Sequence, residues 1–257
     1  MKVIDSLIPR SELRVLITAG ANGIGLAIAQ AFQEAGARVH VCDIDDQALA
    51  ALPAGITYTH ADVSQEADVD RLFQEAAYLG GLDVVVNNAG IAGPTASIEE
   101  IDGESWSRTI DINLNGQYRV ASRATPLLRE SQGLLINMAS VAGRLGLAYR
   151  TPYSASKWAI VGLTKSLANE LGPDSVRVNA ILPGIVRGPR IEQVITARAE
   201  KRGISFAEME QEILSNVSMR RMVEPTDIAA MALFLSAPGG SNISGQALSV
   251  CANVETI

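Results

Sequence analysis

Leu134-Leu135-Ile136-Asn137-Met138-Ala139-Ser140, followed a little later by Tyr153-Ser154-Ala155-Ser156-Lys157, is the stretch from which the rest of the chain can be read. Its first part is an apolar run ending in small polar residues, the pattern of a parallel strand buried on both faces. Its second part opens a helix. Pro152 stands where a first turn tolerates proline, and Trp158, Ile160, Val161, Leu163, Thr164 and Leu167 continue a mostly apolar helical pattern. Tyr153 and Lys157, four residues apart, share one face of that helix. Ser140 falls at the carboxyl end of its strand, where open α/β sheets place their ligands. A free tyrosine, with a pKa of ~10, is a poor base at neutral pH, but an ammonium within ~4–6 Å favours its phenolate. A serine hydroxyl alongside can hold the oxygen whose proton the tyrosine takes or returns. The same spacing also arises by chance on helix surfaces, so its meaning depends on its surroundings.

Strands are predicted at 13–18, 38–43, 57–61, 82–87, 134–138, 176–182 and 247–250, alternating with helices at 24–35, 64–79, 106–129, 153–171 and 225–235. Parallel strands need crossovers, and crossovers are right-handed, so the alternation predicts an α/β fold with a doubly wound parallel sheet of the Rossmann type. No repeat, low-complexity tract or linker interrupts residues 1–257, and one domain is the simplest count. The segment 187–223 departs from the alternation. It is polar and charged with weak helical patterning, apart from Ser205 and Glu208, which form a capping box for a helix at 206–214. An insertion after the sixth strand, at the carboxyl edge of the sheet, is where a helical lid belongs.

Composition narrows the class. A hydrophobic content of 47% with 19% charged residues suits a globular protein with a full core. A net charge of −7 without a Lys/Arg cluster disfavours nucleic acid or a membrane surface as a partner. No apolar stretch of about eighteen residues marks a transmembrane helix. Residues 1–14 carry charges and a proline rather than the apolar run of a signal peptide, so the expected location is cytoplasmic. Cys42 and Cys251 make neither a disulfide framework nor a metal-ligand spacing, and no metal site is expected. His40 and His60 read as packed strand residues, Trp106 and Trp158 as packing residues, and Arg123 and Arg129 as members of a solvated face.

The turn Thr18-Ala19-Gly20-Ala21-Asn22-Gly23-Ile24-Gly25 follows a strand and opens a helix. Backbone amides at such a helix start bind a pyrophosphate, and glycines let the phosphates approach, which points to a dinucleotide held by this turn. Asp43 ends the second strand, 18 residues after Gly25 (43 − 25). An acid there accepts from a ribose 2′-hydroxyl and repels a 2′-phosphate, so the predicted cofactor is NAD. Asp45 and Asp46 add negative potential, and no arginine follows to offset it. The alternative is that Asp43 merely starts an acidic loop.

With these motifs in order, the chain resembles the short-chain dehydrogenase/reductase family over nearly its whole length. Thr18, Gly23 and Gly25 match the family's glycine-rich turn, which implies that Thr18, Ala21, Asn22, Gly23, Ile24 and Gly25 line the cofactor. Asp62-Val63 resembles the acidic pair that meets the adenine, and Asn87-Asn88-Ala89-Gly90 the motif that shapes the pocket after the fourth strand. Pro183-Gly184, with Val186 nearby, matches the segment that packs on the nicotinamide. Asn113, Ser140, Tyr153 and Lys157 match the catalytic set, with Asn113 expected to hold a water linking Lys157 to solvent and Lys157 to contact the nicotinamide ribose. Three positions depart from the family pattern. Ala19 replaces the first glycine of the turn and is tolerated there if its φ is negative. Gly188 replaces a threonine, and Cys251-Ala252 stands where Asp-Gly is common.

The reading implied is an NAD-dependent dehydrogenase or carbonyl reductase acting on a secondary alcohol or ketone, with Tyr153 as general base or acid and Ser140 orienting the substrate oxygen. A 3-oxoacyl thioester reductase is the competing enzyme, and a non-catalytic dinucleotide sensor the competitor from another class. Asn88 and Asn137 have structural roles open to them as well. The expected substrate is small and polar, such as a sugar or sugar-derived acid. Arg144 and Arg190 are its candidate ligands beside Ser140 and Tyr153, with Arg150, Arg187, Arg198, Lys201 and Arg202 along the same rim. Helices at 106–129 and 153–171 look apolar on more than one face, which with the resemblance predicts a symmetric homo-oligomer, a tetramer.

Overall fold

Side chains alternate across a strand, and here both sides are apolar. Along β1 (Arg14–Thr18), Val15 and Ile17 enter one core layer and Leu16 the other. The same alternation recurs in β4 (Val84–Asn87) and β5 (Leu134–Met138), whose residues are all buried. Strands this apolar need helices on both faces. In the computed structural model, which describes residues 3–254, β2 (Arg38–Asp43), β3 (Thr57–His60), β6 (Arg177–Pro183) and β7 (Ala247–Val250) complete a parallel sheet in the order β3-β2-β1-β4-β5-β6-β7. Helices α1 (Gly23–Glu34) and α9 (Pro225–Ser236) pack against each other over one face. Helices α3 (Glu66–Ala76), α5 (Gly116–Ser131) and α6 (Thr151–Leu171) cover the other. The doubly wound architecture is therefore as expected. The chain runs outward from β1 to β3 and returns to the opposite side of β1 as β4, so the crevice for a ligand lies at the carboxyl ends of β1 and β4.

Local chemistry moves several boundaries. A short helix α2 (Asp46–Ala50) forms because Asp45 caps it, accepting from the Ala48 amide at 3.0 Å. The helix expected at 106–129 is not continuous. Asp102 caps α4 (Gly103–Ile110), a π segment Asp111–Asn115 follows, and only then does α5 begin. A π turn inside a helix re-aims the residues it carries, and here it carries Asn113. The weakly patterned insertion is helical through most of its length. Gly188 and Pro189 start α7 (Pro189–Arg202), and α8 (Phe206–Ser215) follows with the Ser205–Glu208 capping box in place. Ile195, Ala199, Met209 and Met222 give these two helices a small core of their own. Trp106 and Trp158 do not pack inside but are 36% and 53% exposed. Arg123 is half-buried and paired with Glu66 and Asp70, while Arg129 pairs with Asp174 at the surface. Among the described residues, no helix is long and apolar enough to cross a membrane and no group of acid, histidine or cysteine side chains could hold a metal.

The histidines divide. His60 is half-exposed and meets the Ile44 carbonyl at 3.2 Å, so it is not a packed residue. His40 is buried between the hydroxyls of Thr57 and Thr59 at 2.9 and 3.0 Å, with Glu75 bonded to Thr59 and Tyr78 to Thr57. Burial pushes His40 down from 6.5 to about 4, against the pull of Glu75. The folded state thus refuses a proton that the unfolded chain accepts below its ordinary value, and this stability is lost as pH falls through that window. Denaturant unfolding should show a loss of roughly 2–3 kcal/mol from this group between about pH 7.5 and about pH 4.5. The extra slope should be missing in His40→Asn. An equal slope in that variant would assign the acid sensitivity elsewhere.

Candidate active site at the switch point

Thr18 ends β1 and fastens the crevice. Its hydroxyl accepts from the amides of Asn88 and Ala89, both at 2.9 Å, binding the end of β1 to the loop after β4. The Asn88 amide group in turn donates to the carbonyls of Thr18 and Ala19 at 3.1 and 3.0 Å. Asn88 therefore shapes the turn. Gly25 is required by close approach, because a Cβ there would lie 2.0 Å from the Ala19 carbonyl oxygen. Ala19 does not have the negative φ expected of it. At +50° it sits in the left-handed region, which costs an alanine roughly 1–2 kcal/mol. The two bonds from Asn88 and the amide of Gly20 on the Cys42 carbonyl, at 3.0 Å, hold it there.

The turn fits a dinucleotide. Helix α1 starts at Gly23 after Asn22, whose side chain does not cap it, and no acid stands in its first turn. Its first amides are free for a phosphate. Asp43 holds the turn from the next strand: one carboxylate oxygen accepts from Ala21 at 3.1 Å, the other from Ile44 and Asp45 at 2.8 and 3.3 Å. It thus starts the acidic loop and also faces the turn, with acceptor capacity left for a hydroxyl. Asp62 accepts from Ser64 at 2.8 Å, and Val63 is buried in the core, leaving mainly its backbone to meet a ligand. At the far side of the crevice, Pro183 ends β6, Gly184 donates to the Val250 carbonyl at 3.0 Å, and Val186 bridges to Val223. Gly188 has a φ of +143°, which the threonine of the family pattern would not adopt readily. Cys251 follows β7, and Ala252 and Asn253 after it take left-handed conformations at +52° and +57°.

The remaining groups meet on the neighbouring strand. The Met138 carbonyl, at the end of β5, accepts from the Lys157 ammonium at 2.9 Å and from Gln117 at 3.1 Å. Two residues on, the Ser140 hydroxyl accepts from the Ala142 amide at 3.2 Å, which fixes the turn leaving the strand. Asn113, aimed by the π segment, pairs with Ile91 like a strand neighbour, accepting at 2.7 Å and donating at 3.1 Å. It also donates to Ser156 at 3.2 Å, and Ser156 donates to the Tyr153 carbonyl at 2.7 Å. A Cβ on Gly90 would lie 3.0 Å from the Asn113 oxygen and 3.5 Å from the Lys157 nitrogen, so both converge on this glycine. One lone pair of the Asn113 oxygen is left for a water. The Lys157 nitrogen is 5.7 Å from the centre of the Tyr153 ring. Burial, helped by Arg190, pushes Lys157 down to about 7.

Of the two candidate substrate arginines, the structure brings in one. Arg190 donates to the Gly90 carbonyl. Arg144 turns away to β7, bonding the Ala247 carbonyl and, at 3.1 Å, the Ser249 hydroxyl. The edge strand offers acceptors within its reach, and it takes them. Arg150 occupies the place proposed for Arg144: its guanidinium lies 4.6 Å from the Tyr153 ring centre. Gln117 and Ser156 were not singled out in the sequence. Gln117, four residues after Asn113 on a helix, is a polar residue on a buried face, and that was the available signal.

Residues 18–252 match the family described as Enoyl-(Acyl carrier protein) reductase. The L-fucose dehydrogenase of Mus musculus is 36% identical over 226 residues, covering 86% of this chain and 81% of that protein. Among solved structures, a variant of actinorhodin polyketide ketoreductase with NADPH superposes with a TM-score of 0.90 at 32% identity, over 96% of this chain and 98% of that one. NAD+-bound xylitol dehydrogenase does so with a TM-score of 0.90 at 27% identity, over 95% and 99%.

Proposed function

The chain belongs to the short-chain dehydrogenase/reductase family, oxidoreductases of hydroxy and keto groups, and from that premise we propose an NAD-dependent dehydrogenase of a small polar hydroxy compound such as a sugar or sugar-derived acid. The observation that carries the reading is the convergence of Lys157, Asn113 and Ser140 with Tyr153 beside the crevice between β1 and β4. The turn from Thr18 to Gly25, with Ala21, Asn22, Gly23 and Ile24, would hold the pyrophosphate; Asp43 the adenosine ribose; Asp62 and Val63 the adenine. Asn88, Ala89, Gly90, Pro183, Gly184 and Val186 would border the nicotinamide half. When bound, the nicotinamide supplies the hydride acceptor or donor. Tyr153 as the phenolate takes the proton from the alcohol in oxidation, and as the phenol it returns that proton in reduction. The Ser140 hydroxyl holds the substrate oxygen during that transfer. Positive charge from Lys157 and the neighbouring guanidiniums stabilises the phenolate. Asn113 anchors the relay between Lys157 and solvent.

The likeness to the actinorhodin ketoreductase favours a second reading, a 3-oxoacyl thioester reductase using NADPH. Asp43, the two acids after it and the lack of an arginine there favour the first. The reading includes a cytoplasmic location, supported by two free cysteines. It includes no nucleic-acid or membrane partner. It also includes a symmetric homo-oligomer, a tetramer, supported by Trp106, Tyr118 and Trp158 exposed on α4, α5 and α6.

Three outcomes are expected. Tyr153→Phe should abolish turnover while binding of NAD, followed by fluorescence, stays near wild type; near-normal turnover would refute the proton-transfer role. Wild type should prefer NAD over NADP by roughly 1–3 kcal/mol in kcat/KM, and Asp43→Ala should narrow that gap. Equal use of both cofactors by the wild type would refute the role given to Asp43. Light scattering at micromolar concentration should give a mass of several chains, and a single-chain mass would dismiss the oligomer.

A further inference from the structure

A buried guanidinium is normally matched by an acid, because an unpaired charge away from water is strongly disfavoured. Around Tyr153 the match is missing. Arg150, just before α6, is 6% exposed. Its Nη2 donates to the Ala92 carbonyl at 2.9 Å, while its Nε is buried without an acceptor. Arg198, on α7, is half-buried, and its Nε is likewise buried without an acceptor. Arg190, eight residues earlier on the same helix, completes the group. Burial lowers Arg150, and Arg198 and Arg190 lower it further; only Tyr153 opposes them. These are like charges held together; Glu212, itself paired with Arg202, acts on Arg198, and none of the ion pairs among the described residues includes Arg150.

Three other cations of this region already have acids of their own. Glu224 pairs with Arg187 at 2.9 Å, Glu100 with Lys201 at 2.6 Å, and Glu212 with Arg202. None of these ion pairs includes Arg150 or Arg198. The geometry points to a carboxylate-binding subsite formed by Arg150, which lies over the Tyr153 ring, and Arg198 of α7, whose missing partner is an anionic group of the substrate itself. This rests on the dehydrogenase reading above and narrows its substrate to hydroxy acids and the matching oxo acids. A guanidinium presents parallel N–H donors that suit the two oxygens of a carboxylate. Because the Arg150 guanidinium lies over the Tyr153 ring, an acid bound there brings its nearby carbinol carbon to the tyrosine hydroxyl. Arg190 is left out of the subsite, since it bonds the Gly90 carbonyl at the edge of the crevice.

The test uses malonate, which carries carboxylates but no carbinol or carbonyl carbon to react. It is titrated by calorimetry into the protein with and without NAD, with malonamide as the neutral control and inorganic phosphate as a second anion. Wild type should bind malonate and not malonamide. Arg150→Gln and Arg198→Gln should each weaken malonate at least ~10-fold, the scale of one charge-assisted contact, with the Kd for NAD changed less than ~2-fold. Arg150→Lys, which keeps the charge and loses the fork, should fall between. Arg198 is only half-buried, so its variant carries the test if changes at Arg150 prevent folding. The subsite is overturned if wild type does not bind malonate, if the variants bind it as tightly, or if phosphate binds as well as malonate with the same arginine dependence. It is also overturned if the variants lose NAD rather than malonate, which would assign both arginines to the cofactor. Failure of the wild type to bind NAD would instead strike the dehydrogenase reading, and the malonate titration without NAD would still judge the subsite.

Discussion

The Lys157 ammonium is buried on the Met138 carbonyl, and the arrangement of the crevice follows from that one bond. It ties α6 to the end of β5, and Gln117 ties α5 to the same oxygen. A carbonyl with two lone pairs can take both donors, so two helices are registered on one atom. Ser140 leaves the strand two residues later and Tyr153 lies one helical turn before the lysine. Holding a cation away from water is unfavourable, which is why Lys157 is pushed down to about 7. A fold that keeps such a group in place has a use for it, and perturbed groups of this kind gather at functional sites.

Charge is distributed by the same logic. The chain as a whole is acidic, at −7, yet the cations beside the Tyr153 ring are Lys157 and Arg150, with Arg190 acting on both. The cations Arg187, Lys201 and Arg202 of the insertion are paired with Glu224, Glu100 and Glu212. The result is a cluster of cations at Tyr153 in an acidic chain. The cofactor turn shows the complementary pattern: uncapped amides at α1, with Asp43 standing across from them on β2. Each half of the crevice thus presents the sign that its proposed ligand lacks.

Much of this was legible in the sequence, because it rests on period and punctuation. Apolar runs marked most of the strands, though not Thr57–His60, and a strand, a glycine-rich turn and a helix in succession marked the switch point. What was not legible depends on distance in space. Arg144 and Arg150 are equivalent on paper, each a few residues from a reactive hydroxyl. Only the nearness of β7 to one and of the Tyr153 ring to the other separates them. Ala19 has its positive φ because Asn88, from a loop far along the chain, holds it there. The π turn that aims Asn113 has no signature in a helix of ordinary composition. The exposure of Trp106 and Trp158 could not be separated from packing by sequence pattern alone.

The proposed work of this crevice is hydride transfer with NAD coupled to proton transfer at Tyr153 on a polar substrate. Turnover across a panel of polyols, sugar acids, hydroxy acids, steroids and 3-oxoacyl thioesters, each offered with both nicotinamide cofactors and followed as the change in reduced nicotinamide, tests it most directly. A polar hydroxy compound should reduce NAD faster than any steroid does, and should react much more slowly when NADP replaces NAD. Efficient reaction of the thioesters with NADPH alone, or no turnover of any polar hydroxy compound by protein that binds NAD, would contradict it.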